Sequence, residues 1–525
     1  LMSRNHSLLP EGRKLMTAER TDKAGLICVP VTETKAESFL TAINQAALMA
    51  DAIELRLDYP EADELLLVLS SLPEAAAGLK RPLILTYRPA EQGGQRQLSL
   101  ADRLDFWRGL PDQVKACIGF ADFELDLVER LADSALPVPW HKIICSHHDF
   151  SETPANLSEI YERIARTPAA IVKIAVKANR IADCLPVFDL IERSSKPVIA
   201  LAMDLPGLPT RVLALSRGAL LTFGALRRGA ESASGQPTVD ELRYLYRADK
   251  LSRDSQVMGV IGNPIGHSRS PLIHNTALVA SGIDAVYLPF EVDDAGEFVR
   301  DFVRPATRRM NWQMRGLSVT IPHKLAIRPH LDFIDPTAQK TGAVNTVVVE
   351  GNELRGYNTD VIGAMKPLEV LTELRDARVA VLGAGGAARA ICYGLNERGA
   401  QTTVYARDAR KAQALASEFG AQAASLDEFT GGADIVINCT PVGMQGHGEG
   451  RSPVTIDQLK GVRLVYDLIY NPLETRLLKD AETAGCRTLG GMAMLIGQAA
   501  EQFRLWTGRE APIELMMKTA LAAAA

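Results

Sequence analysis

Between residues 22 and 248 the chain alternates short apolar runs with longer stretches of helical spacing. Eight runs stand out: Leu26–Val31, Ala52–Leu57, Leu83–Arg88, Phe120–Asp126, Lys142–His148, Ile171–Val176, Val198–Met203 and Leu221–Leu226. The segments between them are long enough for crossover helices, and Leu157, Ile160, Tyr161 and Ile164 keep helical phase in one of them. Strands separated by helical crossovers predict a parallel sheet. Eight such units in about 230 residues fit a closed (β/α)8 barrel better than an open sheet. The charged stretch Leu242–Ser255, without Gly or Pro, predicts a last helix that closes the barrel and marks a seam.

The pattern restarts at Met258 with a strand, a glycine-rich turn and two serines, Ser268 and Ser270. At Arg378–Leu382 it becomes strand, glycine loop and helix, through Gly383-Ala-Gly-Gly-Ala-Ala-Arg389, with Ala388 where the last glycine of a dinucleotide turn usually stands. Such a turn can also merely connect strand to helix. The next strand, Gln401–Tyr405, runs into Ala406-Arg-Asp-Ala-Arg-Lys411. There Arg407, with Arg410 or Lys411, suits a 2′-phosphate and so NADP, whereas Asp408 is the residue type a ribose hydroxyl of NAD would want. A solvated basic helix start is the plainer alternative. The chain thus reads as α/β throughout, an N-terminal (β/α)8 barrel followed by a two-domain α/β part with a Rossmann-type nucleotide domain. The boundaries are 22–250 for the barrel, 256–366 completed by 492–525 for the first of the two later domains, and 367–491 for the second.

Composition narrows the classes. With 525 residues, 47% hydrophobic and 23% charged, the chain exceeds one core and is ordinary globular material. A net charge of −5 leaves no basic footprint for nucleic acid. No apolar run nears the roughly 18 residues that span a bilayer. The seven cysteines are scattered without a CxxC pair, which predicts free thiols in a reducing compartment and no zinc site. Before Met16, Arg4, Arg13 and Lys14 face a single acid, Glu11. An upstream extension is the favoured reading of residues 1–15, and the chain is expected to be cytoplasmic; a transit remnant would place it in a plastid.

Barrel enzymes build their sites at the C-terminal strand ends. Polar residues gather there: Glu54 and Arg56, Thr86-Tyr87-Arg88, Asp122 and Glu124, Ser146-His147-His148-Asp149-Phe150, and Lys173. Lys173, set among alternating apolar residues, should point into the barrel, where desolvation frees a neutral amine. A structural pairing with a carboxylate is the alternative, and His148 one strand earlier favours Schiff-base chemistry. Together with Ser232-Ala-Ser-Gly-Gln236, these motifs resemble the type I 3-dehydroquinate dehydratase family over residues 22–248. The resemblance implies that Lys173 forms an imine with a substrate ketone and that His148, rather than His147, shuttles protons. It also implies that Glu54, Arg56, Arg88, Arg211, Ser232 and Gln236 bind the substrate. Gln92 before Gly93-Gly94, where an acid is usual, and Pro30 in the first strand depart from the pattern.

The second half resembles the shikimate dehydrogenase family over about 256–525. The resemblance rests on Leu317-Ser-Val-Thr-Ile-Pro-His-Lys324, Gly342-Ala-Val-Asn-Thr346, Gly356-Tyr-Asn-Thr-Asp360, Asn438-Cys-Thr-Pro-Val-Gly-Met444, Asp467-Leu-Ile-Tyr-Asn-Pro472 and Gly490-Gly-Met-Ala-Met-Leu-Ile-Gly-Gln498. It implies a catalytic pair, Lys324 at the end of an apolar strand and Asp360. It further implies substrate contacts from Ser268, Ser270, Thr320, Asn345, Tyr470 and Gln498. Gly383, Ala384, Gly385, Gly386, Ala387, Arg407, Lys411, Leu468 and Gly491 would line NADPH. Ala406, Asp408 and Ser318 depart from the family pattern. Two such halves in series resemble the bifunctional dehydratase–dehydrogenase fusions, which act on small molecules. A metabolite sensor built from degenerate copies would be expected to lose Lys173, His148, Lys324 or Asp360, and all four are present. The serine pair 268 and 270 favours shikimate over quinate.

Overall fold

The computed structural model describes residues 25–131 and 137–523; the basic stretch before Met16 lies outside the described residues. The eight apolar runs become β1 (Leu26–Val31), β2 (Ala52–Arg56), β3 (Leu83–Thr86), β4 (Phe120–Glu124), β5 (Ile143–Asp149), β6 (Ile171–Lys177), β7 (Val198–Met203) and β8 (Leu221–Phe223). They form one sheet in the order β7-β6-β5-β4-β3-β2-β1-β8, with parallel ladders. The outer strands meet where Leu220 N donates to Val198 O at 2.8 Å, bringing the sheet round on itself. The strands are buried on both faces, as a parallel sheet wrapped in helices requires. The helix Leu157–Arg166 buries the four residues whose spacing predicted it.

Period-two alternation sorts the barrel interior into layers. Ala52, Ile84, Ile144 and Ile171 belong to one apolar cluster with Cys28, Ile199 and Leu221. Two residues further along their strands come Glu54, Thr86, Ser146 and Lys173, with Asp122 likewise two residues beyond Phe120. Two further still stand Arg56, Arg88, Glu124 and His148. The charged layers therefore sit on an apolar plug at the C-terminal strand ends.

The predicted closing helix is shorter than expected. It ends with the wide helical turn Glu241–Leu245, and Arg247 adopts a φ of 53°. Arg243 anchors the segment through Asp51 and Asp249 at 2.7 and 3.0 Å, so side-chain pairing replaces a continued helix.

The chain resolves into two compact units whose main boundary is Ser255–Gln256, with the short segments Phe290–Asp293 and Arg309–Gln313 grouped with the first. In the second, β9 (Gln256–Gly262), β10 (Ala285–Glu291), β11 (Gln313–Val319), β12 (Phe333–Ile334), β13 (Thr346–Glu350) and β14 (Glu353–Tyr357) make a sheet ordered β10-β9-β11-β13-β14-β12. It is mixed, since β13 runs antiparallel to β11 and β14. A further sheet holds β15 (Arg378–Leu382), β16 (Gln401–Ala406), β17 (Gln422–Ser425), β18 (Ile435–Asn438), β19 (Leu464–Asp467) and β20 (Arg487–Leu489). Its order β17-β16-β15-β18-β19-β20, all parallel, is the doubly wound nucleotide-binding arrangement, with the reversal between β15 and β18. The helix Met492–Thr507 returns to the mixed sheet, where Trp506 Nε1 donates to Val347 O at 2.9 Å.

Among the described residues no helix is long and apolar enough to cross a membrane, and no His, Cys, Asp and Glu cluster could hold a metal. All seven cysteines are free thiols.

Candidate active sites

The eight barrel residues to which the resemblance assigns a role line one cavity: Glu54, Arg56, Arg88, His148, Lys173, Arg211, Ser232 and Gln236. Lys173 is buried, as its place in β6 predicts, but its amine is not alone. Nζ donates to Glu54 Oε1 at 3.0 Å and Asp122 Oδ2 at 2.6 Å, and stands 4.6 Å from the centroid of the Phe223 ring. Pairing with a carboxylate was the alternative left open beside Schiff-base chemistry; the alternating layer brings Glu54 of β2 and Asp122 of β4 to the level of Lys173 on β6. Burial would raise the Asp122 carboxyl, but Arg88 and Lys173 outweigh it and hold it down near 2.

His148 is held by its neighbours above and beside it. Its backbone N–H donates to Gln92 Oε1 at 3.2 Å, and its Nδ1 lies 2.5 Å from Arg88 Nη1. Burial, then Arg88, Lys173, Arg56 and His147, push its imidazolium well below the ordinary range, so the ring is neutral near pH 7. Gln92, a departure in sequence, thus touches the site. His147 points out of this layer, with a buried Nε2 that has no hydrogen-bond partner.

The far wall is made of donors in want of acceptors. Arg56 is committed to Asp58 and to Gly93 O. Arg211, only 1% exposed, leaves Nε and Nη2 unpartnered, and burial pushes its guanidinium down to about 10. Ser232 N and Oγ donate to Gln236 Oε1, which orients that amide and leaves its Nε2 unsatisfied. Unpaired buried donors are costly in a protein interior and fit an anionic, oxygen-rich ligand.

In the second unit Lys324 sits just past the end of β11, on the one-turn helix His323–Ala326. Pro322 supplies the turn between strand and helix. Lys324 Nζ donates to Asp360 Oδ2 at 2.5 Å, and Asn345 Nδ2 donates to Asp360 Oδ1 at 2.8 Å and to Gln498 Oε1 at 3.3 Å. These four residues come together directly. Ser268 accepts from Ser270 N at 3.3 Å, and Arg269 between them stands 6.0 Å from the ring of the exposed Tyr470. Thr320 follows β11 and packs at Gly262. No direct hydrogen bond joins these last four to Lys324 among the described residues.

Sequence reasoning passed over Gln502, which supports Asn345 from below. Its Nε2 donates to Asn345 O and Thr346 Oγ1, while its Oε1 accepts from Ser318 Oγ, itself receiving Tyr287 OH. Gln502 lies one helical turn beyond Gln498, which was the available signal. Ser318 is thereby accounted for as a link in this network.

The glycine loop leads from β15 into the helix Gly386–Asn396. Gly383 (φ 106°) approaches Cys439 and Thr440, and a Cβ at Gly385 or Gly386 would meet nothing within 4 Å. Open space before a helix N-terminus, with Ala384 and Ala387 adding little bulk, fits a pyrophosphate. Asp408 caps the helix Ala409–Glu418 by accepting from Arg410 N and Lys411 N, so its carboxylate is engaged, while Arg407 and Lys411 are exposed beside it. Gly491 packs on Leu468, where a Cβ would come 2.2 Å from Leu468 O.

Residues 27–253 match the type I 3-dehydroquinase family. Residues 260–347 match the shikimate dehydrogenase substrate binding domain, 366–444 shikimate / quinate 5-dehydrogenase, and 491–521 the shikimate 5′-dehydrogenase C-terminal domain. A shikimate dehydrogenase (NADP(+)) of Methanosarcina acetivorans is 44% identical over 51% of this chain and 98% of its own length. The shikimate 5-dehydrogenase of Thermus thermophilus, solved with NADP(H) and shikimate, is 35% identical over 51% of this chain and 99% of its own, with a TM-score of 0.47. The chloroplastic bifunctional 3-dehydroquinate dehydratase/shikimate dehydrogenase of Arabidopsis thaliana is 35% identical over 93% of this chain and 83% of its own length. With the two halves in the same order along one chain, this protein belongs to the bifunctional 3-dehydroquinate dehydratase/shikimate dehydrogenase family.

Proposed function

We propose that this chain dehydrates 3-dehydroquinate to 3-dehydroshikimate in its barrel and reduces that product to shikimate, with NADPH, in its second half. The observation that carries the reading is the Lys173 amine at hydrogen-bond distance from two buried carboxylates, in a cavity whose other wall offers unpaired Arg211 and Gln236 donors. The domain boundaries accordingly stand at 22–250 for the dehydratase, 256–366 with 492–525 for the dehydrogenase substrate domain, and 367–491 for the NADP-binding domain. The compartment is read as cytoplasmic, with the plastid reserved for a transit role of residues 1–15.

In the barrel, Lys173 lends a proton to its carboxylate neighbours and attacks the substrate ketone; that proton returns to the carbinolamine oxygen, which leaves as water, and an iminium forms. The iminium is an electron sink, so the adjacent C–H becomes acidic enough for neutral His148 to take its proton. The enamine then expels the β-hydroxyl, which His148 protonates, and water hydrolyses the product from Lys173. Arg211, Gln236 and Ser232 bind the carboxylate and hydroxyls, since guanidinium forks suit carboxylates.

In the second half, NADPH when bound supplies hydride. Gly383, Ala384, Gly385, Gly386 and Ala387 would hold its pyrophosphate, Arg407 and Lys411 its 2′-phosphate, and Leu468 and Gly491 its other end. Lys324 gives a proton to the new alkoxide oxygen, and Asp360, fixed by Asn345, orients the ammonium. Ser268, Ser270, Thr320, Tyr470 and Gln498 orient the substrate. Purified protein given 3-dehydroquinate with NADPH, and separately with NADH, should yield shikimate with the first and far less with the second. Recovery of unchanged 3-dehydroquinate would refute the reading.

A further inference from the structure

Arg88 stands at a junction between groups that compete for it. Its Nη2 donates to Asp122 Oδ2 at 2.7 Å, while Nη1 lies 2.5 Å from His148 Nδ1, 3.4 Å from Ser146 Oγ and 3.7 Å from Glu124 Oε1. A guanidinium only donates, so the Nδ1 facing it must present its lone pair, and a neutral His148 then carries its proton on Nε2. In that state Nδ1 is covered by Arg88 and Nε2 already holds a proton. Neither nitrogen can take another.

Glu124 offers a second place for the same N–H. Its side chain is fully buried; Oε2 accepts from Arg103 Nη1 at 2.9 Å, and Oε1 accepts no hydrogen bond. A buried carboxylate oxygen without a donor is a standing cost. Arg88 Nη1 needs only about 1 Å of travel to reach it at charge-assisted distance.

We propose that Arg88 Nη1 alternates between His148 Nδ1 and Glu124 Oε1, and that its shift onto Glu124 frees Nδ1 to take the substrate proton. Glu124 is then a positioning residue for the dehydration. The inference rests on the dehydratase reading of the barrel. The C–H proton passes to Nδ1, its electron pair moves into the iminium, and the imidazolium so formed returns a proton to the departing hydroxyl.

The charged groups facing Glu124 are Arg88 at the end of β3, Asp122 on its own strand and Arg103 on the helix Leu100–Gly109; those around His148 are Arg88, Lys173, Arg56 and His147. Burial, with Asp122 adding to it, outweighs Arg88 and Arg103 and pushes the Glu124 carboxyl up to about 7. Ionised Glu124 draws Nη1 and protonated Glu124 does not, so the exchange switches on as pH rises through that value.

The test uses the full chain, 3-dehydroquinate and Glu124→Gln. Dehydration kcat should fall roughly 100-fold, KM should stay near that of the parent, and the rise of kcat through neutral pH should vanish. Glu124→Asp should restore that rise and part of the rate. Borohydride should still trap ligand on Lys173 in Glu124→Gln. Nitrogen-15 spectra of histidine-labelled parent protein should place the His148 proton on Nε2, a result that needs no variant to fold. A folded Glu124→Gln with unchanged kcat and pH profile, or a parent protein with the proton on Nδ1, overturns the exchange. Failure of the parent protein itself to trap ligand on Lys173 overturns the dehydratase reading and the exchange with it. Normal trapping with normal turnover in Glu124→Gln overturns the exchange alone.

Discussion

The amine of Lys173 lies 2.6 Å from Oδ2 of Asp122, two strands away in the barrel. A charge pair this deep is retained only when its geometry is good and its remaining atoms are satisfied. Asp122 meets that condition through Arg88 and Ser146 at 2.7 and 2.5 Å. The pair keeps a lysine stable among apolar residues and leaves a proton acceptor in contact with the amine.

Borohydride should therefore trap 3-dehydroquinate-derived ligand covalently on Lys173, with one label per chain located by mass spectrometry. Lys173→Ala should carry no label and no dehydratase activity. Undiminished labelling in that variant would place the imine elsewhere.

His148→Ala should lose most dehydratase turnover, on the order of 100-fold or more for a general base, while keeping the capacity to form the imine. His147→Ala should be mild, because successive strand residues face opposite sides and His147 stands outside the charged layer. If the two variants exchange effects, the assignment along Ser146–Phe150 is off by one.

Much of this was legible in the chain for a physical reason. Each barrel strand is buried on both faces, so Leu26–Val31 and Val198–Met203 read as uninterrupted apolar runs with the bounds later observed. The same alternation aimed Lys173 inward. What stayed hidden depends on contacts between distant elements. Nothing local to Glu124 announces Arg103, which comes from a helix preceding its strand. The doubt over Asp408 needed the helix cap to settle where its carboxylate goes. Lys324 was read at the end of an apolar strand, but the one-turn helix that carries it beyond Val319 had no apolar periodicity to announce it.

Arg211 illustrates a residue whose role opposes stability. Its guanidinium, depressed to about 10 by burial, carries its full penalty at every pH below that value, because the folded state holds the charged form at a disadvantage. Arg211→Met should raise Tm at pH 7 and raise KM for 3-dehydroquinate by about tenfold to 100-fold, the range expected on losing charge-assisted bonds to a carboxylate. A lower Tm with unchanged KM would make Arg211 structural.

Arg407 is exposed beside a capped helix start, with Asp408 turned onto Arg410 N and Lys411 N. It should serve the 2′-phosphate, which only NADPH carries. Arg407→Ala should raise KM for NADPH by about tenfold and leave that for NADH near its starting value. Equal losses for both cofactors, measured on 3-dehydroshikimate, would refute the assignment.

The last expectation concerns separability. The barrel constellation draws on residues 54 to 236, and the Lys324–Asp360 constellation on residues 268 to 498. Neither set of hydrogen bonds borrows a side chain from the other. Lys324→Ala removes the proton donor and leaves Asp360 bonded to Asn345, so the second site keeps its shape but not its chemistry. This variant should fail to reduce 3-dehydroshikimate and still dehydrate 3-dehydroquinate near the normal rate, so that 3-dehydroshikimate accumulates in solution. Conversely, Lys173→Ala should block dehydration while added 3-dehydroshikimate is still reduced. Both rates can be followed in one cuvette, by enone absorbance and by NADPH consumption. Complete loss of dehydratase activity in Lys324→Ala protein with unchanged circular dichroism would show that the sites are chemically coupled.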